Sequence, residues 1–110
     1  MLLPNLKNAE IAIEKIRDYS LNEDHAVGQH KALLFKKILG FTIDDSEELM
    51  DLIFEKITYS EAILGKKDQF GQRYVVDFDY SRNDRTVKIR TTWIIKIDEN
   101  FPRLTSCYIP

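Results

Sequence analysis

The chain has 110 residues, of which 44% are apolar and 11% aromatic, and its formal net charge is −2. This composition supports one hydrophobic core in a single domain spanning 1–110, so neither a disulfide scaffold nor a structural metal is required. The lone Cys107 excludes an intrachain disulfide, and no apolar run approaches the ~20 residues of a membrane helix.

The first elements along the chain are predicted to be helices. A helix is expected over 14–20, where apolar residues including Tyr19 recur at helical spacing. The alternating stretch 9–13 before it fits either a short edge strand or the beginning of that helix. A second helix is predicted over 26–39 from its wide apolar stripe, and Gly40 is expected to end it in the left-handed conformation.

A third helix has the clearest signature. The sequence Asp45-Ser46-Glu47-Glu48 resembles a capping box, and it places acidic side chains in the first turn, where the helix dipole favours them. Apolar residues at helical spacing then continue to about Tyr59. We therefore expect this helix to begin at Asp45 or Ser46.

The C-terminal half changes to the two-residue period of β-strands. The predicted strands cover 61–65, 73–80, 86–97 and 103–109, with turns at 69–72 and 81–84. Such short connections favour antiparallel pairing. The expected fold class is therefore α+β, with N-terminal helices packed on a C-terminal four-stranded antiparallel sheet.

His25, His30 and Lys31 cluster near the beginning of the second predicted helix. Backbone N–H groups and the helix dipole favour anions there. Histidine can transfer protons near neutral pH, and lysine can offset the negative charge of a phosphorane. The same residues also fit an ordinary solvated surface.

A second cluster is predicted on the sheet. Lys88 and Arg90 share one face of the long third strand, and Trp93 alternates onto the other face. Arg90, with Ser106 and Tyr108 opposite, would present a guanidinium and hydroxyl groups to a phosphate. The alternative interpretation makes Trp93 and Tyr108 core aromatics and Arg90 a surface side chain.

Metal-binding patterns are weak in this sequence. His25 and His30 are five residues apart, which is a poor spacing for two ligands on one helical face. Asp77 and Asp79 share a strand face and fit either a divalent-cation site or, more commonly, solvent-facing carboxylates. We therefore expect no metal and no cofactor.

The charge is unevenly distributed. Residues 1–59 carry 7 Lys/Arg against 11 Asp/Glu, whereas residues 60–110 carry 9 against 7. A mildly basic sheet beside acidic helices is compatible with RNA contact at one site, and equally with an ordinary solvated surface.

These motifs, in this order, resemble an uncharacterised bacterial domain family. The resemblance covers nearly the whole chain, through segments 3–5, 15–22, 25–32, 39–41, 71–76, 90–95 and 102–108. The layout of that family is similar to the barnase-like and RelE-like (BECR-type) ribonuclease toxins of bacteria. Those toxins have N-terminal helices on a four-stranded antiparallel sheet, a histidine near a helix, and basic residues on the sheet.

The resemblance implies a metal-independent endoribonuclease that cleaves RNA through the substrate's own 2′-hydroxyl. His25 would act as general base or acid, while Lys31 and Arg90 would hold the phosphate and offset its developing charge. Ser106, where the toxins place a threonine, or Tyr108 would donate a hydrogen bond to a phosphate oxygen. Further substrate contacts are assigned to His30, Lys88, Trp93 and Arg103.

The resemblance also implies a protein partner, because such toxins are bound and inhibited by a small cognate antitoxin or immunity protein. An acidic partner would suit the basic half of the chain. We expect a cytoplasmic protein without membrane contact, since the sequence begins without the basic and apolar regions of a signal peptide. Alternatives to the enzyme are a non-catalytic protein-binding module and a small regulatory partner.

Overall fold

Three helices precede the sheet in the computed structural model, which describes residues 1–25 and 29–110. The helices are α1, formed by Ile13–Lys15 and the π-helical turn Ile16–Ser20; α2, formed by Gln29–Leu34 and the π-helical turn Phe35–Leu39; and α3, Ser46–Ile57. Short 3-10 turns occupy Leu6–Asn8 and Ile43–Asp45. Residues 26–28, where the second helix is predicted to begin, lie outside the described residues. No helix in the described part of the chain is long and apolar enough to cross a membrane.

The C-terminal end of α2 and the beginning of α3 test the helix boundaries predicted from local sequence signals. Gly40 follows α2 with a φ of 71°, as expected, and its N–H donates to the Lys36 carbonyl at 2.9 Å. The capping box lies earlier than predicted, because the Asp45 carboxylate accepts the Thr42 N–H at 2.8 Å. Asp45 therefore closes the 3-10 turn ahead of α3, which begins at Ser46.

The C-terminal half is a four-stranded antiparallel sheet, which confirms the α+β fold class. Its strands are β1 Ala62–Asp68, β2 Gly71–Arg82, β3 Arg85–Lys96 and β4 Arg103–Tyr108, paired in the order β1-β2-β3-β4. Asn83 and Asp84 form the β2–β3 turn within the predicted 81–84, with φ values of 54° and 61°. Positive φ at both central residues matches the right-handed twist of a tight hairpin.

Gly71 makes the β1–β2 turn shorter than predicted. It already belongs to β2, with a φ of 150°, and a Cβ there would lie 2.1 Å from the Ile95 carbonyl oxygen. Only glycine allows the neighbouring backbone to approach so closely.

The N-terminal segment covers the outer edge of β4. The Glu10 N–H donates to the Pro102 carbonyl at 2.9 Å, and the Glu10 carbonyl accepts the Leu104 N–H at 3.0 Å, in a parallel bridge. The chain then leaves β4 and enters α1 at Ile13. Of the two interpretations of 9–13, the extended one therefore applies at Glu10 and the helical one from Ile13.

One face of the sheet packs against the helices and forms the core. Its buried residues on β2 and β3 are Tyr74, Val76, Phe78, Ile89, Thr91 and Trp93. The helices contribute Ile16, Phe35, Leu39, Leu49 and Ile53 among others. The opposite face, here called the open face, carries the cross-strand partners Asp77, Arg90, Thr92, Ser106 and Tyr108.

Trp93 is a core residue, which corrects its predicted role as a substrate contact. Its side chain is fully buried, and the indole N–H donates to the Thr91 hydroxyl at 2.9 Å. Trp93 lies on the helix-packed face, away from Arg90, so its ring cannot reach a ligand on the open face.

Candidate functional site

Lys31 and Arg90 meet at Tyr108, at the end of β4. The Lys31 ammonium lies 4.3 Å from the centroid of the Tyr108 ring, so the helical layer contacts the last strand by a cation–π interaction. Tyr108 is the direct cross-strand partner of Arg90 on the open face. One aromatic ring thus links two of the predicted phosphate-binding cations.

Arg90 is held in place by Asp77. The Arg90 Nε and Nη2 each donate to one Asp77 carboxylate oxygen at 2.9 Å. The hydrogen bond to Asp77, with a smaller effect from Tyr108, raises the pKa of the Arg90 guanidinium above its already high ordinary value. The pair fixes the orientation of a permanent positive charge and leaves Nη1 outside the bidentate interaction.

The ion pair with Arg90 also defines the role of Asp77. Both of its carboxylate oxygens bind Arg90, so the interpretation of Asp77 and Asp79 as a divalent-cation site is not supported. Within residues 1–25 and 29–110, no group of three or more His, Cys, Asp or Glu side chains is arranged to hold a metal ion.

A cluster of hydroxyl groups lies beside the cations. The Thr92 hydroxyl is 2.6 Å from that of Thr105 and also within hydrogen-bonding distance of that of Ser106. A register shift between Thr92 and Trp93 brings two consecutive β4 residues next to one β3 hydroxyl. Hydroxyl groups can rotate their hydrogens, so this cluster can donate to phosphate oxygens.

A hollow of about 30 Å³ separates α1 from β4 at this point. It is lined by Lys15, Tyr19, Ser20, Lys31, Thr105, Ser106 and Cys107. The Ser20 hydroxyl donates to the Cys107 carbonyl at 2.7 Å and ties the helix to the strand. The hollow has room for little more than one water molecule, so it does not enclose a larger ligand.

His25 reaches this region through Tyr19. The two rings are tilted by 38° with their centroids 4.1 Å apart, and Tyr19 also lines the hollow. The His25 carbonyl accepts the Gln29 N–H at 2.9 Å, which connects the residue to the first turn of α2. The imidazole is therefore a neighbour of the hollow across one aromatic ring.

The remaining predicted substrate contacts are dispersed. His30 is exposed on α2, and Lys88 is exposed on the open face of β3. Arg103 lies at the opposite end of β4 from Tyr108, where Glu99 binds it through two hydrogen bonds of 2.8 Å and Glu10 through one of 2.8 Å. The Glu99 carboxylate raises the pKa of Arg103, and Arg103 lowers the pKa of Glu99.

Sequence reasoning missed Lys15, Tyr19 and Thr105 as residues of the site. Helical spacing assigns Tyr19 to an apolar face, yet 47% of its surface is exposed. The π-helical turn Ile16–Ser20 changes the angular spacing of side chains, so the expected face no longer applies. The proximity of Tyr19 to His25 in the sequence is the one signal that could have indicated that both belong to the candidate site.

Comparison with known proteins identifies the family of the chain and a similar solved structure. The model of a family described as a domain of unknown function (DUF6883) matches residues 2–110. No curated protein matches the sequence. Among solved structures, a chain of the contact-dependent growth inhibition toxin–immunity protein complex from Klebsiella pneumoniae 342 is similar, with a TM-score of 0.60 and 15% identity. The match covers 91% of this chain and 98% of that chain, and at this identity it shows a shared fold.

Proposed function

The chain belongs to the family described as a domain of unknown function (DUF6883), and we propose that it is the toxin of a toxin–immunity pair and acts as an endoribonuclease. The observation that carries this proposal is the grouping of Lys31, Arg90, Ser106 and Tyr108 at the end of β4. The similar solved complex contains both a toxin and an immunity protein, so the fold supports either role. Two cations that share contact with Tyr108, together with a histidine that contacts Tyr19 at the hollow, favour the toxin.

The chemistry available to these residues suits cleavage of RNA. The substrate's 2′-hydroxyl loses a proton and attacks the adjacent phosphorus, and the bond to the 5′-oxygen breaks as that oxygen takes a proton. His25 is the proposed proton-transfer group. Lys31 and Arg90 offset the negative charge of the phosphorane, and Ser106 or Tyr108 donates to one of its oxygens. The nucleophile belongs to the substrate, so no metal-bound water is needed.

Tyr19 is proposed as a positioning residue for His25. Its tilted ring contact with the imidazole, with the centroids 4.1 Å apart, restricts the orientation of the imidazole beside the hollow. Tyr19→Leu should therefore lower the cleavage rate and alter its dependence on pH, whereas a purely structural change would scale the rate equally at all pH values.

The proposed partner is a small immunity protein that covers the hollow. Lys31 and Arg90 would face acidic side chains of that protein, because complementary charge speeds association and selects the correct partner. Binding there would exclude the RNA phosphate directly.

The test is incubation of the purified chain with total RNA in EDTA. Cleavage products ending in 2′,3′-cyclic phosphate are expected, and they should be lost in His25→Ala and Lys31→Ala. Lys37→Ala is the matched control, because Lys37 is an exposed lysine of the same helix that does not line the hollow. Circular dichroism must show that each variant is folded. Absence of RNA cleavage at every protein concentration would overturn the proposed ribonuclease activity.

A non-catalytic binding module is the second candidate, and the exposed edge of the sheet favours it. Ile63 and Leu64 on β1 are each 60% exposed, and β1 pairs only with β2 within the described sheet. Such an edge can accept a strand from another protein. Stable binding to a toxin, together with no RNA cleavage, would favour this candidate over the enzyme.

A further inference from the structure

A cavity of about 550 Å³ opens where the N-terminal segment diverges from β4 to enter α1. Lys15 and Thr105 line this cavity and also line the small hollow of the proposed active site. The two spaces are therefore neighbours along one groove between α1 and β4. The volume of the cavity lies in the range of small-molecule binding sites.

Part of the cavity wall is apolar. Ile94 of β3, Leu104 of β4 and Phe54 of α3 all contribute to its lining. Apolar and aromatic walls favour a flat, weakly hydrated group such as a nucleobase.

The charged residues of the lining favour an anion. Lys15, Lys96 and Arg103 bring three positive charges to the cavity, against the two carboxylates of Glu10 and Glu99, which both bind Arg103. This local excess of positive charge contrasts with the net charge of −2 of the whole chain. A ligand with a flat body and a negative group nearby, which describes a nucleotide, matches both properties of the wall.

Arg103 is better placed to stack on a base than to form a new ion pair, because its guanidinium nitrogens already donate hydrogen bonds. Glu99 and Glu10 already bind its Nε, Nη1 and Nη2, each at 2.8 Å, and one face of its guanidinium lies 4.8 Å from the centroid of the Phe101 ring. A guanidinium plane fixed in this way can stack on a base. The Glu10 side chain, 57% exposed, retains acceptor capacity for an exocyclic amino group.

We propose that this cavity binds a nucleobase of the RNA next to the phosphate cleaved at the hollow, an inference that rests on the proposed function. The phosphate would lie toward Lys15 and Thr105, the two residues that line both spaces, and the base would occupy the wider end near Ile94. Only an unstacked base can enter, so the substrate is single-stranded RNA or a loop.

The test measures binding of a nucleoside 3′-monophosphate to the whole chain, with inorganic phosphate as the second probe. Ala12→Trp fills the cavity without removing a charge, because Ala12 lines it and is exposed. Ile63→Trp adds the same ring on β1, at the other edge of the sheet. We expect Ala12→Trp to weaken nucleotide binding at least about tenfold and to leave phosphate binding unchanged, while Ile63→Trp alters neither.

A second pair of variants keeps the inference testable if Ala12→Trp does not fold. Lys96→Ala removes a cation of the cavity, and Lys67→Ala removes an exposed strand lysine that does not line it. Weaker nucleotide binding in Lys96→Ala alone supports the base site. Equal affinity for the nucleotide and for inorganic phosphate overturns it, as does unchanged nucleotide binding in both Ala12→Trp and Lys96→Ala.

RNA cleavage separates this inference from the proposed function. If Ala12→Trp weakens nucleotide binding and the chain cleaves no RNA, the base site is supported and the proposed ribonuclease activity is overturned. RNA cleavage with an unchanged KM in Ala12→Trp would overturn the base site and support the ribonuclease.

Discussion

The ammonium group of Lys31 lies 4.3 Å from the centroid of the Tyr108 ring, and this contact joins α2 to the last strand of the sheet. Tyr108 faces Arg90 across the same strands, so its hydroxyl and its ring serve different neighbours. The two parts of the side chain can be separated by mutation.

Under the proposed ribonuclease function, Tyr108→Phe should lower RNA cleavage by about tenfold or more, because it removes one of the hydrogen-bond donors proposed to contact the phosphate. It should leave the fold intact, since the ring beneath Lys31 remains. The measurement is the rate of RNA cleavage with circular dichroism beside it. Tyr59→Phe is the matched control, because Tyr59 also lies near a lysine, Lys56, at 5.7 Å. An unchanged rate in Tyr108→Phe would exclude its hydroxyl from catalysis.

The pairing of Glu99 with Arg103 predicts a loss of stability in acid. The hydrogen bond from Arg103 lowers the pKa of Glu99 in the folded state, so the folded chain binds fewer protons than the unfolded chain. Stability from this pair is therefore present above the unfolded pKa of about 4.3 and declines as the pH falls below it.

Thermal unfolding between pH 7 and pH 3 tests this expectation. Glu99→Gln should lower the melting temperature at pH 7 and reduce its dependence on pH, because the titrating carboxylate is gone. Glu55→Gln, at an exposed position of α3, serves as the control. An identical pH dependence in Glu99→Gln and the unmodified chain would contradict the predicted role.

Cys107 should be unreactive in the folded protein. Its side chain is buried, and desolvation raises the pKa of the thiol far above its ordinary value, so almost no thiolate forms at neutral pH. A colourimetric thiol reagent should therefore modify it only as fast as the protein unfolds, and rapidly in urea. Rapid modification in native buffer would show that the α1–β4 contact opens readily.

Gly71→Ala should destabilise the fold by at least about 2 kcal/mol. The added Cβ would lie 2.1 Å from the Ile95 carbonyl oxygen, and the φ of 150° disfavours any side chain. Gly65→Ala on β1 is the matched control, because its nearest atom, the Arg73 carbonyl oxygen, would lie 3.1 Å away and its φ is ordinary. Urea denaturation measures both, and equal losses would contradict the steric explanation.

Local sequence signals predicted much of this fold. The α+β class, the antiparallel order and the Gly40 helix end are confirmed, because each depends on side-chain period or on one residue's backbone preference. The alternation of β3 also predicts that Trp93 lies on the face opposite Arg90, so its burial was available from the sequence.

Other features depend on irregularities that no residue pattern marks. The bulge beside Thr92 changes the alternation along β4, so both Arg103 and Ser106 face the open side although they are three residues apart. The π-helical turn exposes Tyr19 in the same way. The positions of Ser106 and Tyr19 in the candidate site thus follow from two local departures from regular geometry.

The parallel bridge between Glu10 and β4 covers that edge of the sheet, and at the other edge only the beginning of β1 is covered within the described residues, where the Met1 carbonyl accepts the Ala62 N–H at 2.7 Å. A strand of the proposed immunity protein added along β1 would lie four strand spacings, roughly 19 Å, from β4, the strand that carries Tyr108. Such an inhibitor would have to span the width of the sheet to obstruct the groove. A protein that plugs the groove instead would leave β1 uncovered, so protection of β1 in the complex would distinguish the two modes of neutralisation.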